Sequence, residues 1–359
     1  MNELVAQPKF HTLIKKIPIL KRLAANDGRK IYDLVSGFVY SQVLLAMVEL
    51  RLFKFLLSGE KNIRELADYG KIDSQKMLLL CNAASAIGLL KRKPNSYYVL
   101  TRLGAAIEGV QGLDEMILHH KIFYRDLQDP VRLLRQDFQT ELKDFWSYAG
   151  NQKKINDGQA AVYSNLMGTS QYIVAEETLD LVNLKGSSHL IDIGGGNGTF
   201  LCQVRRRYPN LALTLFDLPS VTKTAQDNFK NDRLMEDVNI IPGNFIEDKF
   251  PVDGDAIFFN RVMYDHEDSI VSLLLGKAFA ALKPGGCVVI SEPMAGAKFP
   301  TRSGDAYFGF YTLAMTSGKP RSKRQHFEFL RAAGFKGMEN LNNINNFVTS
   351  VIVAKKPRK

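Results

Sequence analysis

The sequence predicts an α/β protein: a Rossmann-like, doubly wound sheet preceded by a helical winged-helix module. Three observations predict it. Residues 31–110 place apolar side chains at helical spacing and end in a short extended stretch. From His189 onward, short apolar strands alternate with helical stretches, the grammar of a parallel sheet covered on both faces. Between the first of those strands and the next helix lies a loop with four glycines, Gly194, Gly195, Gly196 and Gly198.

At 359 residues the chain is longer than one typical domain of ~100–200 residues. A hydrophobic share of 45% and a charged share of 23% are those of a globular protein, and exclude a disordered or fibrous chain. The longest apolar-rich run, Gly37 to Leu50, is interrupted by Ser41, Gln42 and Glu49, so no transmembrane span is expected. Glu3 and the lack of a continuous apolar core near the start argue against a secretory signal. Cys81, Cys202 and Cys287 are far apart. They make neither a disulfide framework nor a thiolate metal site, and no metal is expected; a cytoplasmic location fits them.

Residues 1–30 form a basic segment in which Lys9, Lys15, Lys16, Lys21, Arg22, Arg29 and Lys30 alternate with Phe10, Leu13, Ile17, Ile19 and Leu20. Much of the net charge of +10 sits there and in the Lys355–Lys359 tail. Solvated termini are the simpler reading, and peripheral contact with a membrane surface is the functional one. Residues 31–110 read as a winged-helix module. Ile31–Leu57 is helical and stops at Ser58-Gly59, Asn62 opens a short helix, Asp73 or Ser74 caps Gln75–Leu90, and Tyr97–Leu100 is a strand. The Gln75–Leu90 helix is apolar nearly all round, whereas a groove-reading helix is polar. It is expected to be buried, the module to pack on a partner, and nucleic acid not to bind. Residues 111–185 are expected as connecting helices broken near Pro130 and Asn151. Residues 186–359 are expected as the catalytic domain, with strands at Leu190–Ile193, Leu211–Phe216, Asn239–Ile241, Ala256–Phe259 and Val288–Ile290, and a turn at Lys283–Gly286.

The glycine loop fails the dinucleotide pattern at its last place, where Thr199 stands. Asp192 precedes the loop and would repel a pyrophosphate at the helix start. Asp217 ends the second strand, where a carboxylate accepts from a ribose diol. A nucleoside carrying a cationic group satisfies both acids, and S-adenosylmethionine has that form.

Asp192 through Gly198, Phe216-Asp-Leu-Pro219, Leu282-Lys-Pro-Gly-Gly286 and Glu292 together resemble the class I S-adenosylmethionine-dependent O-methyltransferases with an N-terminal winged-helix dimerisation domain. Within that family, Gly37–Leu45, His119-His120 through Asp129-Pro130, Arg261–His266 and Gly304–Tyr311 are similar to the demethylspheroidene (hydroxyneurosporene) O-methyltransferases, which methylate a tertiary hydroxyl on a polyene. The resemblance implies a homodimer, S-adenosylmethionine as cofactor and a lipophilic substrate. It implies cofactor contacts at Asp192, Gly194, Gly196, Asp217, Gly243, Asn244, Phe245, Met167 and Ser170. Asn244 stands where the family usually has aspartate.

The family's general-base histidine is replaced here by Tyr264, a phenol protonated at neutral pH. Tyr264 acting with His266 is the preferred substitute, with His266 alone and His119 or His120 as alternatives. Glu292 is expected at the rim as the orienting carboxylate. His119, His120, Tyr307, Phe308 and Tyr311 are expected to line the substrate pocket, although aromatics at helical spacing, here also Phe310 and Met315, more often belong to a core. The leading reading is methylation of a 1-hydroxy carotenoid. The alternatives are methylation of a phenol or quinone, or cofactor binding without turnover.

Overall fold

The computed structural model describes residues 18–150, 168, 171–230, 236–341 and 348–358. They fall into two compact units that divide between Gly109 and Val110. Most of the basic N-terminal segment lies outside the described residues.

The first unit opens with α1 (Pro18–Glu49) and α2 (Leu52–Leu57). One continuous helix was expected from Ile31 to Leu57; the chain instead breaks at Arg51, which takes φ 54°. Gly59, at φ 118°, provides the expected stop. Next come β1 (Lys61–Asn62), α3 (Ile63–Gly70) and α4 (Ser74–Ala86). Asn62 and Glu65 close a reciprocal capping box on α3, and the Asp73 carboxylate caps α4, so both helix starts are written in the sequence. The wing is β2 (Leu90–Arg92) against β3 (Tyr97–Leu100), with β1 on the other edge of β3. α5 (Arg102–Gly109) ends the unit. The expectation that the second helix is buried is only half met. Met77, Cys81 and Ala84 are buried on α4, but Leu79 is exposed, because only one face of the helix meets this unit's core.

One helix in the described residues, Ala24–Glu49, is long and apolar enough by length and composition to cross a membrane, with a mean hydropathy of 1.5. This differs from the sequence expectation. Ser41 and Gln42 break the run of apolar letters, yet they carry no charge and hardly lower the average.

The second unit begins with α6 (Leu113–Asp126), α7 (Pro130–Arg135), α8 (Glu141–Gly150) and a helix over 171–181, α9. It continues β4 (His189–Ile193), α10 (Thr199–Arg207), β5 (Ala212–Asp217), α11 (Pro219–Lys230), β6 (Asn239–Pro242), β7 (Gly254–Asn260), α12 (Asp268–Ala281) and β8 (Leu282–Glu292). It closes with β9 (Met294–Ala295), α13 (Gly309–Met315), β10 (Arg321–Ser322), α14 (Lys323–Ala332), β11 (Lys336–Leu341) and β12 (Ser350–Lys355).

Seven strands form one sheet in the order β11-β12-β8-β7-β4-β5-β6. Alternation along the strands serves two cores, one on each face. Ile191, Ile193, Ile257, Phe259, Val288 and Ile290 enter one core. Leu190, Ala256, Phe258 and Val289 enter the other. Each large aliphatic or aromatic side chain so buried is worth roughly 1.5–3 kcal/mol. The sheet is mixed, not wholly parallel as the alternation suggested: β12 runs antiparallel to both β8 and β11. The Lys283–Gly286 turn lies inside β8 as an irregularity, with its four residues set against the single residue Asp255 of β7 and Gly285 at φ 85°. A third core joins α6, α7, α8 and α13 through Phe123, Leu133, Leu142, Tyr311 and Met315. The connecting helices therefore belong to the same compact unit as the sheet.

Candidate active site

The tips of β4, β5 and β6 are stitched together under the glycine loop. Gly194 N–H donates to the Phe216 carbonyl (2.8 Å), and Gly243 N–H to the Asp217 carbonyl (2.8 Å). The Asp217 carboxylate accepts from Gly196 N–H (2.8 Å) and from Leu218 N–H (2.7 Å). Two glycines are obligatory. Gly198, at φ 80°, would place a Cβ 2.2 Å from the Phe229 ring, and a Cβ on Gly195 would lie 2.4 Å from Asp192 Oδ2.

Asp192 does not face the site openly, as expected. It is fully buried beneath Gly195. Its Oδ1 accepts from Asn260 Nδ2 (3.3 Å), while Oδ2 has no hydrogen-bond partner. Burial pushes its carboxyl up to about 8, and that of Asp217 up to about 6. A buried carboxylate oxygen without a donor, under a loop stripped of side chains, fits a ligand that brings a cationic group. Asp217 keeps lone pairs for a sugar hydroxyl beside its two amide bonds. The residues present therefore fit S-adenosylmethionine.

Asn244 closes its own turn: Oδ1 accepts from Ile246 N–H (2.9 Å), and its N–H donates to Asp248 Oδ2 (2.7 Å). Ligand contact through its side chain thus falls to Nδ2. Lys277, which the sequence reading missed, pins the same turn through the carbonyls of Phe245, Ile246 and Asp248. Met167 and Ser170 lie outside the described residues.

A 3₁₀ turn, Met263–Asp265, carries the position where the family's base stands. Tyr264 is 1% exposed. Its phenol lies beside the Arg261 guanidinium and the Asp265 carboxylate, and burial drives its pKa further above the ordinary phenol range. So placed, the phenol keeps its proton at neutral pH, as expected of a tyrosine at this position. His266 packs edge-on against Phe245, with ring centroids 5.3 Å apart, and Phe245 lies beside Gly194. This puts His266 with the cofactor residues. Burial holds its imidazole below the usual range and therefore neutral. Glu292 is corrected. It is wholly buried, not at a rim, and its Oε2 accepts from Met263 N–H (2.9 Å) and Tyr264 N–H (3.1 Å).

The expected pocket residues come together. A cavity of about 30 Å³ is lined by Met116, His119, Trp146, Arg261, Tyr307, Phe308 and Tyr311, among others. His119 Nε2 pairs with Tyr311 Oη (2.8 Å), and His120 Nε2 with Tyr307 Oη (2.5 Å). Trp146 Nε1 also donates to Tyr311 Oη (3.0 Å). Burial lowers both histidines, His119 to about 4, so both are neutral. His120 stands behind the wall and Met315 is buried in the third core, so neither faces the cavity. The sequence gives Arg261 no role of its own; its place directly after β7, at a strand tip, was the available signal. Trp146, the chain's single tryptophan, carried no motif.

Residues 124–336 match the model of an O-methyltransferase domain, and residues 32–107 that of an O-methyltransferase dimerisation domain. The chain is 41% identical over 349 residues to the demethylspheroidene O-methyltransferase of Rhodobacter capsulatus, covering 97% of this chain and 87% of that one. It is 38% identical over 355 residues to the enzyme of the same name from Cereibacter sphaeroides, covering 99% and 94%. Among solved structures, the pyocyanin biosynthetic protein PhzM superposes with a TM-score of 0.78 at 21% identity, covering 93% of this chain and 99% of that one. Human N-acetylserotonin methyltransferase in complex with SAM superposes with a TM-score of 0.76 at 22% identity, covering 92% and 98%. These two likenesses concern the fold. With the matched domain spanning more than half its length, the chain belongs to the O-methyltransferase family.

Proposed function

We propose that this enzyme transfers a methyl group from S-adenosylmethionine to the tertiary hydroxyl of a 1-hydroxy carotenoid, acting as a homodimer. The observation that carries the substrate class is the 41% identity to a demethylspheroidene O-methyltransferase over nearly the whole chain. S-adenosylmethionine, held by Asp192, Asp217 and the glycine loop, supplies an electrophilic methyl on a sulfonium sulfur. Phe245 and His266 cover the cofactor side. Tyr307, Phe308 and Tyr311 form an apolar wall on the substrate side, which suits a polyene end.

An aliphatic tertiary alcohol loses its proton only as the new O–C bond forms, so the chain needs an acceptor at the cavity. Tyr311 Oη accepts from Trp146 and keeps a lone pair, while its own proton can pass to neutral His119 Nε2. The proton then moves from the substrate oxygen to Tyr311 Oη and from Tyr311 to His119. In-line positioning supplies the larger share of the acceleration. Incubation with methyl-labelled cofactor and 1-hydroxyneurosporene should give the labelled methoxy carotenoid. Transfer only to phenols or quinones, or to no acceptor, would sink the reading.

A further inference from the structure

The Met263–Asp265 turn is gripped from two sides by groups that are themselves fully buried. On one side Arg321 donates to the Met263 carbonyl (2.8 Å) and the His266 carbonyl (2.6 Å), anchored by Asp268 at 2.7 Å. On the other, Glu292 Oε2 takes the Met263 and Tyr264 amides. The second oxygen of Glu292 lies 3.1 Å from His326 Nε2, an ion-pair contact between two buried atoms that have no hydrogen-bond partner. Both side chains are 0% exposed. Ser322 and Gln325 fix the start of α14, and so the place from which His326 projects. Without that contact the buried carboxylate would turn toward a donor or take up a proton, and either change releases the two amides.

We propose that His326 is a positioning residue: its Nε2, in ion-pair contact with Oε1, holds Glu292 in the rotamer that accepts the Met263 and Tyr264 amides. The turn so fixed carries Tyr264, whose phenol lies beside Arg261 of the cavity wall, and delivers His266 against Phe245. The assignment deepens the methyltransferase reading, and its kinetic arm rests on it.

Two variants separate donor from volume. His326→Phe keeps a ring and removes the nitrogen. His326→Gln restores an N–H at similar reach. The first readout is amide hydrogen exchange over residues 261–268 in the ligand-free protein. Exchange should quicken by about tenfold or more in His326→Phe and return toward wild type in His326→Gln. In turnover with labelled cofactor and the hydroxy carotenoid, His326→Phe should lose kcat by roughly 10- to 100-fold. Its KM and its affinity for S-adenosylhomocysteine should stay near wild type, and His326→Gln should regain much of the rate. Unchanged exchange in His326→Phe overturns the assignment. So does equal loss in both variants alongside a lowered thermal midpoint, since shape alone would then be at stake. If His326→Phe does not fold, His326→Gln decides: wild-type protection of the turn supports the donor role, and lost protection removes it. A wild-type enzyme inactive on the carotenoid, with exchange behaving as stated, refutes the substrate and leaves the positioning role standing.

Discussion

At the scale of single residues, Asp192 makes the sharpest prediction. Burial pushes its carboxyl up to about 8, so at pH 7 the ligand-free site holds it mostly protonated. The unfolded value is near ~3.9. A folded value raised above it stabilises the fold fully below about pH 4, and the contribution is lost as pH rises through about 8. A cationic ligand group reverses the preference and expels the proton. Binding of S-adenosylhomocysteine, whose amino group is cationic, should therefore release a proton near pH 7 and tighten as pH rises toward 8. Titration calorimetry in Tris should give a more exothermic apparent enthalpy than in phosphate, and Asp192→Asn should abolish the difference; equal heats in both buffers would refute it. Tyr264 and His119 make a second pair. His119→Gln should cost about 10²-fold in kcat, the lower end for a lost acid–base group. Tyr264→Phe should cost less, because its buried phenol keeps its proton and does not line the cavity. The reverse ranking in single-turnover rates would restore the base to the family's position. The sequence made the cofactor acids legible, since each sits at a strand tip beside a recognisable string. It could not show that Glu292 faces inward toward His326, because their pairing spans 34 residues and obeys no local spacing.

At the scale of elements, legibility followed periodicity. β4, β7 and β8 were readable because both faces are buried and their apolar runs are continuous. β11 was not: it is an edge strand with Lys336, Gly337 and Glu339 exposed, and its sequence shows no alternation. Val351-Ile-Val-Ala354 in β12 carried a usable signal, but nothing local gives its antiparallel direction. The glycine loop is the element where sequence and geometry agree most closely, and Gly198 tests it. Alanine there meets a φ of 80° and a ring carbon 2.2 Å away. Gly198→Ala should lower stability by about 1–3 kcal/mol and weaken S-adenosylhomocysteine binding. Urea unfolding and calorimetry check both, and Phe229→Leu in the same chain should recover part of the stability by removing the contact and leaving only the backbone strain.

For the molecule as a whole, the open question is an apolar face that stays exposed among the described residues. On α1, Ile31, Leu34, Val35 and Phe38 repeat at three- and four-residue spacing and stay exposed, Leu34 at 83% and Phe38 at 69%. A contiguous patch of this kind on a single chain marks a contact surface. The residues matched to a dimerisation domain, 32–107, include most of it, which favours a second copy as its cover. The 40.3 kDa chain should sediment at about twice that mass. Leu34→Glu with Phe38→Glu removes two buried anchors worth roughly 1.5–3 kcal/mol each. That corresponds to a dimer constant weaker by about 10²–10⁴-fold for each copy of the face. Sedimentation of the variant should show monomer at micromolar concentration. The same helix has the length and hydropathy of a membrane span, so the contrary result is specific: a wild-type monomer that floats with liposomes, with flotation lost in the double variant, would give this face to lipid and leave the dimer without its surface.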